Sequence, residues 1–337
     1  MREAMFYDKL EGNRVRCRLC RFHCLIGPGQ RGHCRVRENR GGVLLSLVYG
    51  RAIAEHVDPI EKKPLFHVLP GSRSYSIATV GCNFRCLHCQ NYTISQPEEG
   101  SVEFSGNLVQ PETVIQRALA QGCRSISYTY TEPTIFFEYA YETAKLAKAA
   151  GLKNVFVTNG YITNEALAVI APYLDAANID LKGFTESFYR EVVGASLAEV
   201  LDCIREYKRL GIWLELTTLV IPHRNDSLEE LRNIAEFIAG ELGPGTPWHV
   251  TQFYPTYRLQ EEGRTPLATL RAARQIGLEA GLRYVYEGNV PGEGGESSYC
   301  PSCQELLVKR NGYLIEKNLL DHGRCAHCGF AVDGLWE

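Results

Sequence analysis

The sequence predicts an α/β fold, an open and partial (β/α)6 barrel with a cysteine-rich module before it and another after it. Three observations predict this. Short apolar runs alternate with amphipathic stretches from residue 75 to residue 287. Prolines stand early in the helical stretches and glycines just past their ends. Eleven of the 13 cysteines fall into three clusters, at 17–34, 82–89 and 300–328.

Seven strands are expected, at 75–80, 125–130, 154–158, 176–181, 212–221, 248–253 and 283–286. They are rich in β-branched and aromatic residues and lack a polar alternate face, as parallel strands covered on both sides do. Between them, Pro111 opens a helix that Gly122 closes, and helices at 135–150, 197–210, 227–239 and 266–280 each stop at the next glycine. Thr163 and Asn164 mark a further helix start. Repeated βα units imply a parallel sheet with right-handed crossovers. Six units and a last strand fall short of the eight that close a barrel.

Residues 1–70 break this rhythm and form an N-terminal module, with a turn at Arg40-Gly41-Gly42, a strand at 43–49 and a proline-punctuated stretch at 58–67. The barrel is expected over 71–290. The glycine-rich run 290–296 reads as a linker into a C-terminal module, 291–337.

Of the 337 residues, 45% are hydrophobic and 22% charged, which is ordinary for a globular chain. A net charge of −3 gives no global reason to expect nucleic acid or an anionic membrane as partner. No apolar run nears the ~20 residues that span a bilayer, and acids interrupt the first ten residues where a signal peptide would be apolar. The cytoplasm is the expected compartment, and its reducing chemistry turns the cysteine clusters from disulfides toward metal sites. Cys123 and Cys203 stand alone and read as core or junction thiols.

The middle cluster is the most specific. Cys82, Cys86 and Cys89 are spaced C-x3-C-x2-C with no fourth cysteine close by. A [4Fe–4S] cubane takes one thiolate per iron, so three leave one iron open to a small molecule. The alternative is a zinc half-site completed by a distant ligand, although zinc motifs usually come as paired C-x2-C units. With His88 before the last cysteine, the run resembles the motif of the radical S-adenosylmethionine (SAM) enzymes, in which SAM chelates the open iron. That resemblance implies a partial barrel. It also implies that one electron reaches the sulfonium of SAM, that methionine leaves, and that a 5′-deoxyadenosyl radical abstracts hydrogen from a substrate.

Active residues in parallel α/β folds collect where the strands end. The first strand delivers Gly81 and the cysteine loop, and Gly81 allows the tight turn. The second ends in Tyr130-Thr131-Glu132-Pro133, the third in Thr158-Asn159-Gly160, the fourth in Asp180-Leu181-Lys182. Glu215, Thr217, His249 and Gln252 follow on later strands. Asp180 and Lys182 alternate around Leu181 and so share one strand face. Both would point inward, where an acid and a base are expensive unless paired or ligand-bound.

Thr131-Glu132-Pro133 is similar in place to the Gly-Gly-Glu-Pro segment with which radical SAM enzymes bind the SAM amino group, with Tyr130 and Thr131 where glycines are usual. Asp180-Leu181-Lys182 resembles a segment of the pyruvate-formate-lyase-activating-enzyme group that lies beside SAM. By the same resemblance His88 lies near the adenine, and the SAM-binding set is His88, Thr131, Glu132, Asn159, Asp180 and Lys182. The whole chain resembles the radical SAM family of the AmmeMemoRadiSam system, through 15–20, 58–67, 128–134, 178–184 and the terminal cysteine pairs. This implies Memo-like and AMMECR-type protein partners and an electron donor protein.

Cys300, Cys303, Cys325 and Cys328 form C-x2-C…C-x2-C with 21 residues between the pairs, close to a zinc ribbon, flanked by strand-like runs at 313–315 and 330–332. Cys17, Cys20, Cys24 and Cys34 suit zinc or a second Fe–S cluster equally. Eight arginines against one acid, Glu38, crowd residues 14–40. They read either as partners for thiolates and for acids elsewhere in the chain, or as a dock for RNA or an acidic protein. The expected substrate is a protein or peptide, as for activating enzymes. RNA or a small metabolite is the alternative, and a non-catalytic zinc scaffold is the third reading.

Overall fold

All seven expected strands form. The computed structural model describes residues 1–97, 105–290 and 292–337, so Pro291 of the expected linker lies outside the described residues. The fold is α/β with a partial-barrel-like parallel sheet, and the chain divides into two compact units.

The first unit comprises Met1–Asp58, Arg73–Ala177 and Glu199–Ile212. Its parallel strands are Arg73–Ala78, Ser125–Tyr128 and Lys153–Thr158, with Ser125 opposite both Ser74 and Lys153. Helix Pro111–Ala120 starts with proline at its first turn and buries Val114, Ile115 and Ala118. Helix Phe137–Ala149 buries Phe137, Ala140, Ala144 and Ala147, the i, i+3, i+4 stripe of a helix laid on a sheet. The Thr163 side chain caps Asn164–Ile170 by accepting the N–H of Ala166. The second strand stops at Tyr128, short of the expected 130, because Tyr130 turns into the left-handed region at φ 63°.

The N-terminal segment folds on this unit. Arg37–Arg40 and Val43–Ser46 pair through Gly41 and Gly42, whose φ of 61° and 89° make the two-residue hairpin turn. Arg37 drives Nη2 to both oxygens of Glu138 at 2.6 Å, with 1% and 2% of the two side chains exposed.

The second unit comprises Pro59–Ser72, Asn178–Ala198 and Trp213–Glu337. Its parallel strands are Trp213–Val220, Trp248–Gln252 and Val285–Gly288. Ser227 caps Leu228–Phe237 through the N–H of Glu230. The chain then runs through a π turn, Ile238–Leu242, where a continuous helix to 239 is expected from sequence. Leu267–Glu279 is the last helix. The fourth strand, Ala176–Asp180, is where the chain passes from one unit to the other.

The C-terminal module builds a hairpin from Leu306–Asn311 and Leu314–Asn318. The second of these takes in part of the expected 313–315 run, whereas 330–332 contributes only a bridge from Ala331 to Arg324. Phe66, Tyr284, Tyr286, Cys300, Leu307, Val308, Cys325 and Val332 pack as one apolar cluster. Beside it Glu215, fully buried, accepts the N–H groups of Phe66 at 2.9 Å and His67 at 2.8 Å, with His249 Nε2 at 2.7 Å. Among the described residues no helix is long and apolar enough to cross a membrane.

Candidate active site

In the first unit the cysteine loop leaves the first parallel strand through Gly81, at φ 100°. A Cβ there would lie 2.5 Å from Val36 Cγ1 and 3.2 Å from the Cys34 carbonyl oxygen, so only glycine fits. Cys86 is buried, Cys82 and Cys89 partly so. The Phe84 N–H points at Cys82 Sγ at 3.4 Å, and Ser95 Oγ lies 3.1 Å from Cys89 Sγ. Such N–H and O–H donors are what tunes a metal-bound thiolate. Burial, then the charges of Glu132 and Cys86, hold the Cys82 thiol well above its ordinary pKa. A thiolate in that setting needs a cation to stabilise it.

Around the loop stand the ends of the next two strands. Asn159 Nδ2 donates to Asn83 Oδ1 at 2.7 Å and lies 3.9 Å from Cys82 Sγ. Two buried amide atoms beside it, Asn83 Nδ2 and Asn159 Oδ1, lack a hydrogen-bond partner. Three thiols and unsatisfied buried amides in one place fit a metal cluster with a polar ligand.

Glu132 is buried and saturated. Its Oε1 accepts from Thr134 N at 3.0 Å, Thr134 Oγ1 at 2.6 Å and Thr158 Oγ1 at 2.8 Å, and its Oε2 accepts from Asn159 N at 2.8 Å. Burial nevertheless raises its pKa, with the Thr134 and Asn159 bonds pulling the other way. Thr131 Oγ1 donates to the Thr79 carbonyl at 2.8 Å. Tyr130 adopts the left-handed backbone that the missing glycine would supply. Its hydroxyl donates to Asp58, and its carbonyl accepts from Asn91 Nδ2 at 2.8 Å. His88 is buried, 4% exposed, within the loop. Asn83, Asn91 and Asp58 were given no role from the sequence, and Tyr130 was marked only as standing where a glycine is usual. Asn83 sits inside the motif, a signal for it, whereas nothing local ties Asp58 to Tyr130.

In the second unit Lys182 Nζ meets Asp180 Oδ2 at 2.8 Å. The expected shared face holds, but full burial does not: the strand ends at Asp180, and the side chains are 14% and 37% exposed. Asn225 Nδ2 and the Tyr189 hydroxyl fix the Lys182 backbone from either side.

Among the described residues, Cys300, Cys303, Cys325 and Cys328 are the one set of metal-ligating side chains with all ligand atoms within 4.8 Å of one another. Gln304 and Gly329, each following the second cysteine of its pair, are left-handed at φ 61° and 73° and make matching turns. The sulfurs of Cys17, Cys20, Cys24 and Cys34 are not gathered in this way.

The likenesses to known proteins agree with this geometry. The model of the radical SAM superfamily matches residues 76–238. An uncharacterised protein of Methanocaldococcus jannaschii is 46% identical over 336 residues, 99% of each chain. The pyruvate formate-lyase-activating enzyme of Staphylococcus epidermidis is 24% identical over 179 residues, 50% of this chain and 70% of that one. Streptococcus suis SuiB bound to S-adenosylmethionine shares the fold at a TM-score of 0.51 and 15% identity, over 68% of this chain and 53% of that one. The chain belongs to the radical SAM superfamily. It is a radical SAM enzyme with activating-enzyme relatives, and its family brings a [4Fe–4S] cluster and SAM.

Proposed function

We propose that this enzyme cleaves SAM at the Cys82 loop and acts on a protein or peptide substrate, in the manner of an activating enzyme. One observation carries the reading. A three-cysteine loop stands beside strand ends whose buried amides, Asn83 Nδ2 and Asn159 Oδ1, lack partners. Cys82, Cys86 and Cys89 would hold the cluster, and His88, Thr131, Asn159, Asp180 and Lys182 would hold SAM. Bound there, cluster and SAM supply reductive cleavage to methionine and a 5′-deoxyadenosyl radical.

Glu132 acts through its neighbours in this reading, fixing Asn159 and Thr158 rather than spending free lone pairs on ligand. The Tyr130–Asp58 bond keeps the adjoining turn in the conformation that glycines would give. Buried Cys86 and His88 would help to keep water from the reacting centre.

Relatives named as activating enzymes, of a glycyl-radical enzyme and of pyruvate formate-lyase, support a protein substrate. So does the fate of the N-terminal arginines. Arg18, Arg21, Arg31, Arg37 and Arg40, five of the eight, pair with carboxylates of this chain, which removes most of the basic surface an RNA dock needs. Cys300, Cys303, Cys325 and Cys328 hold zinc and Cys17, Cys20, Cys24 and Cys34 a further metal centre. The modules 1–70, 71–290 and 291–337, a cytoplasmic setting, an electron donor protein and Memo-like and AMMECR-type partners complete the proposal.

The test is iron, sulfide and 5′-deoxyadenosine in anaerobically reconstituted protein, beside Cys86→Ala. Loss of about four irons and of all 5′-deoxyadenosine in the variant is expected. Zinc alone, with no iron after reconstitution, would sink the reading in favour of a scaffold.

A further inference from the structure

The N-terminal cysteines differ from the C-terminal four in a way that bears on what they bind. Cys300 and Cys328 place their sulfurs 3.6 Å apart, Cys303 and Cys325 theirs 3.7 Å apart. The edge of a ZnS4 tetrahedron built from 2.3 Å bonds is about 3.8 Å. Cys17, Cys20 and Cys34 are buried and Cys24 half-buried, with the Cys17 N–H on the Cys24 carbonyl at 2.9 Å. Their four sulfurs nonetheless do not come within 4.8 Å of one another, and neither do those of Cys82, Cys86 and Cys89. A cubane spreads its thiolates because each binds a different iron. Neither group has its sulfurs gathered as the C-terminal four do.

Arg37 is the second observation. It is 1% exposed and gives Nη2 to Glu138, but its Nε and Nη1 donors are buried with no partner. It opens the strand Arg37–Arg40, three residues after Cys34. Buried donors without an acceptor are rare, and thiolate or bridging sulfide would satisfy these.

The third is position. The Cys34 carbonyl oxygen is 3.2 Å from where a Gly81 Cβ would stand. Arg85 of the cluster loop donates to the His33 carbonyl. Phe22, between Cys20 and Cys24, stacks on His33 at 4.4 Å and meets Phe84 of the loop at 6.5 Å.

We propose, resting on the radical SAM reading above, that Cys17, Cys20, Cys24 and Cys34 hold a second iron–sulfur cluster of cubane size, with Arg37 Nε and Nη1 donating to its sulfurs, and that this cluster feeds single electrons to the metal centre of the Cys82 loop. The transfer moves one electron and no atoms. A low-potential one-electron carrier, a reduced flavoprotein or ferredoxin, is oxidised by one electron; the second cluster gains it and passes it on unchanged.

Metal analysis and EPR of the anaerobically reconstituted full chain test this. About eight irons with one zinc per chain are expected, falling to about four irons in Cys24→Ser with the SAM-dependent EPR change retained. Reduction of the remaining cluster by flavodoxin should slow about ten-fold or more in that variant, while reduction by dithionite stays as before. Arg37→Lys, which keeps the charge but loses the fork, should lower the midpoint potential of one EPR signal and leave the SAM-sensitive one alone. Four irons and two zincs in the unmutated protein would overturn the second cluster and leave the radical SAM reading standing. No iron at all would overturn that reading first. The iron-to-zinc ratio of the unmutated chain decides even if Cys24→Ser does not fold.

Discussion

The Glu132 carboxylate accepts the backbone N–H of Asn159 at 2.8 Å, joining the end of one parallel strand to the end of the next. Its other oxygen takes the Thr158 hydroxyl at 2.8 Å and the Thr134 hydroxyl at 2.6 Å. The acid in the Thr131-Glu132-Pro133 segment is therefore a fastener for Asn159, whose amide lies 3.9 Å from Cys82 Sγ.

Glu132→Gln places an amide N–H against groups that already donate. A loss of about 1–3 kcal/mol of stability is expected. SAM affinity should fall with it, because Asn159 is no longer held. Calorimetric titration with SAM reads this directly, and unchanged binding would remove Glu132 from the site's support.

Gly81→Ala meets both a left-handed φ of 100° and Val36 Cγ1 at 2.5 Å. Overpacking of this kind costs about 1–3 kcal/mol. Iron content should drop, since the strain falls on the residue before Cys82. Gly240→Ala has open space around its Cβ and an ordinary φ, so it should stabilise by up to about 1 kcal/mol and leave iron untouched.

Lys182→Met removes a partner from half-exposed Asp180, a pair worth at most about 1 kcal/mol to folding. Its effect on SAM should be larger, about ten-fold in Kd, as for loss of one charged hydrogen bond. Equal SAM affinity in the variant, with full iron, would confine the pair to structure.

Acid should weaken the second unit at a defined place. Burial lowers the His67 pKa to about 4, with Glu215 pulling it back up. The folded state thus binds fewer protons than the unfolded one between about pH 6.5 and pH 4, so stability falls as pH drops through that window. A shift of this size amounts to about 3 kcal/mol. Burial alone would raise Glu215, but His249 and His67 more than offset it and hold it below the usual carboxylate range. Its contribution is present above the ordinary Glu pKa and is lost as pH falls through its own lower one. Urea midpoints from pH 7 to pH 4 should therefore decline, and decline less in His67→Asn.

The strand positions, the helix stops at glycine and the three cysteine groups were legible in the sequence, because each is written in local spacing. Short apolar runs rich in β-branched and aromatic residues placed all seven strands, to within a few residues at each end. C-x3-C-x2-C and paired C-x2-C spacings announced metal chemistry because ligands to one centre must come from short loops. The sequence also marked Asp180 and Lys182 as one pair by their alternation, though not their partial exposure, which depends on where the strand stops.

What only the tertiary structure decided is which charges and amides meet. Arg37 finds Glu138, 101 residues away, and one of eight arginines is thereby buried with two donors left over. Tyr130, in a glycine-like backbone, gives its hydroxyl to Asp58, 72 residues earlier. Glu215, His249 and His67 form one buried network from segments that share no motif. Local pattern fixes elements because hydrogen bonding and burial repeat at the period of helix and strand. Long-range polar partners carry no period, so they become visible only when the fold has paid the entropy of bringing distant residues together.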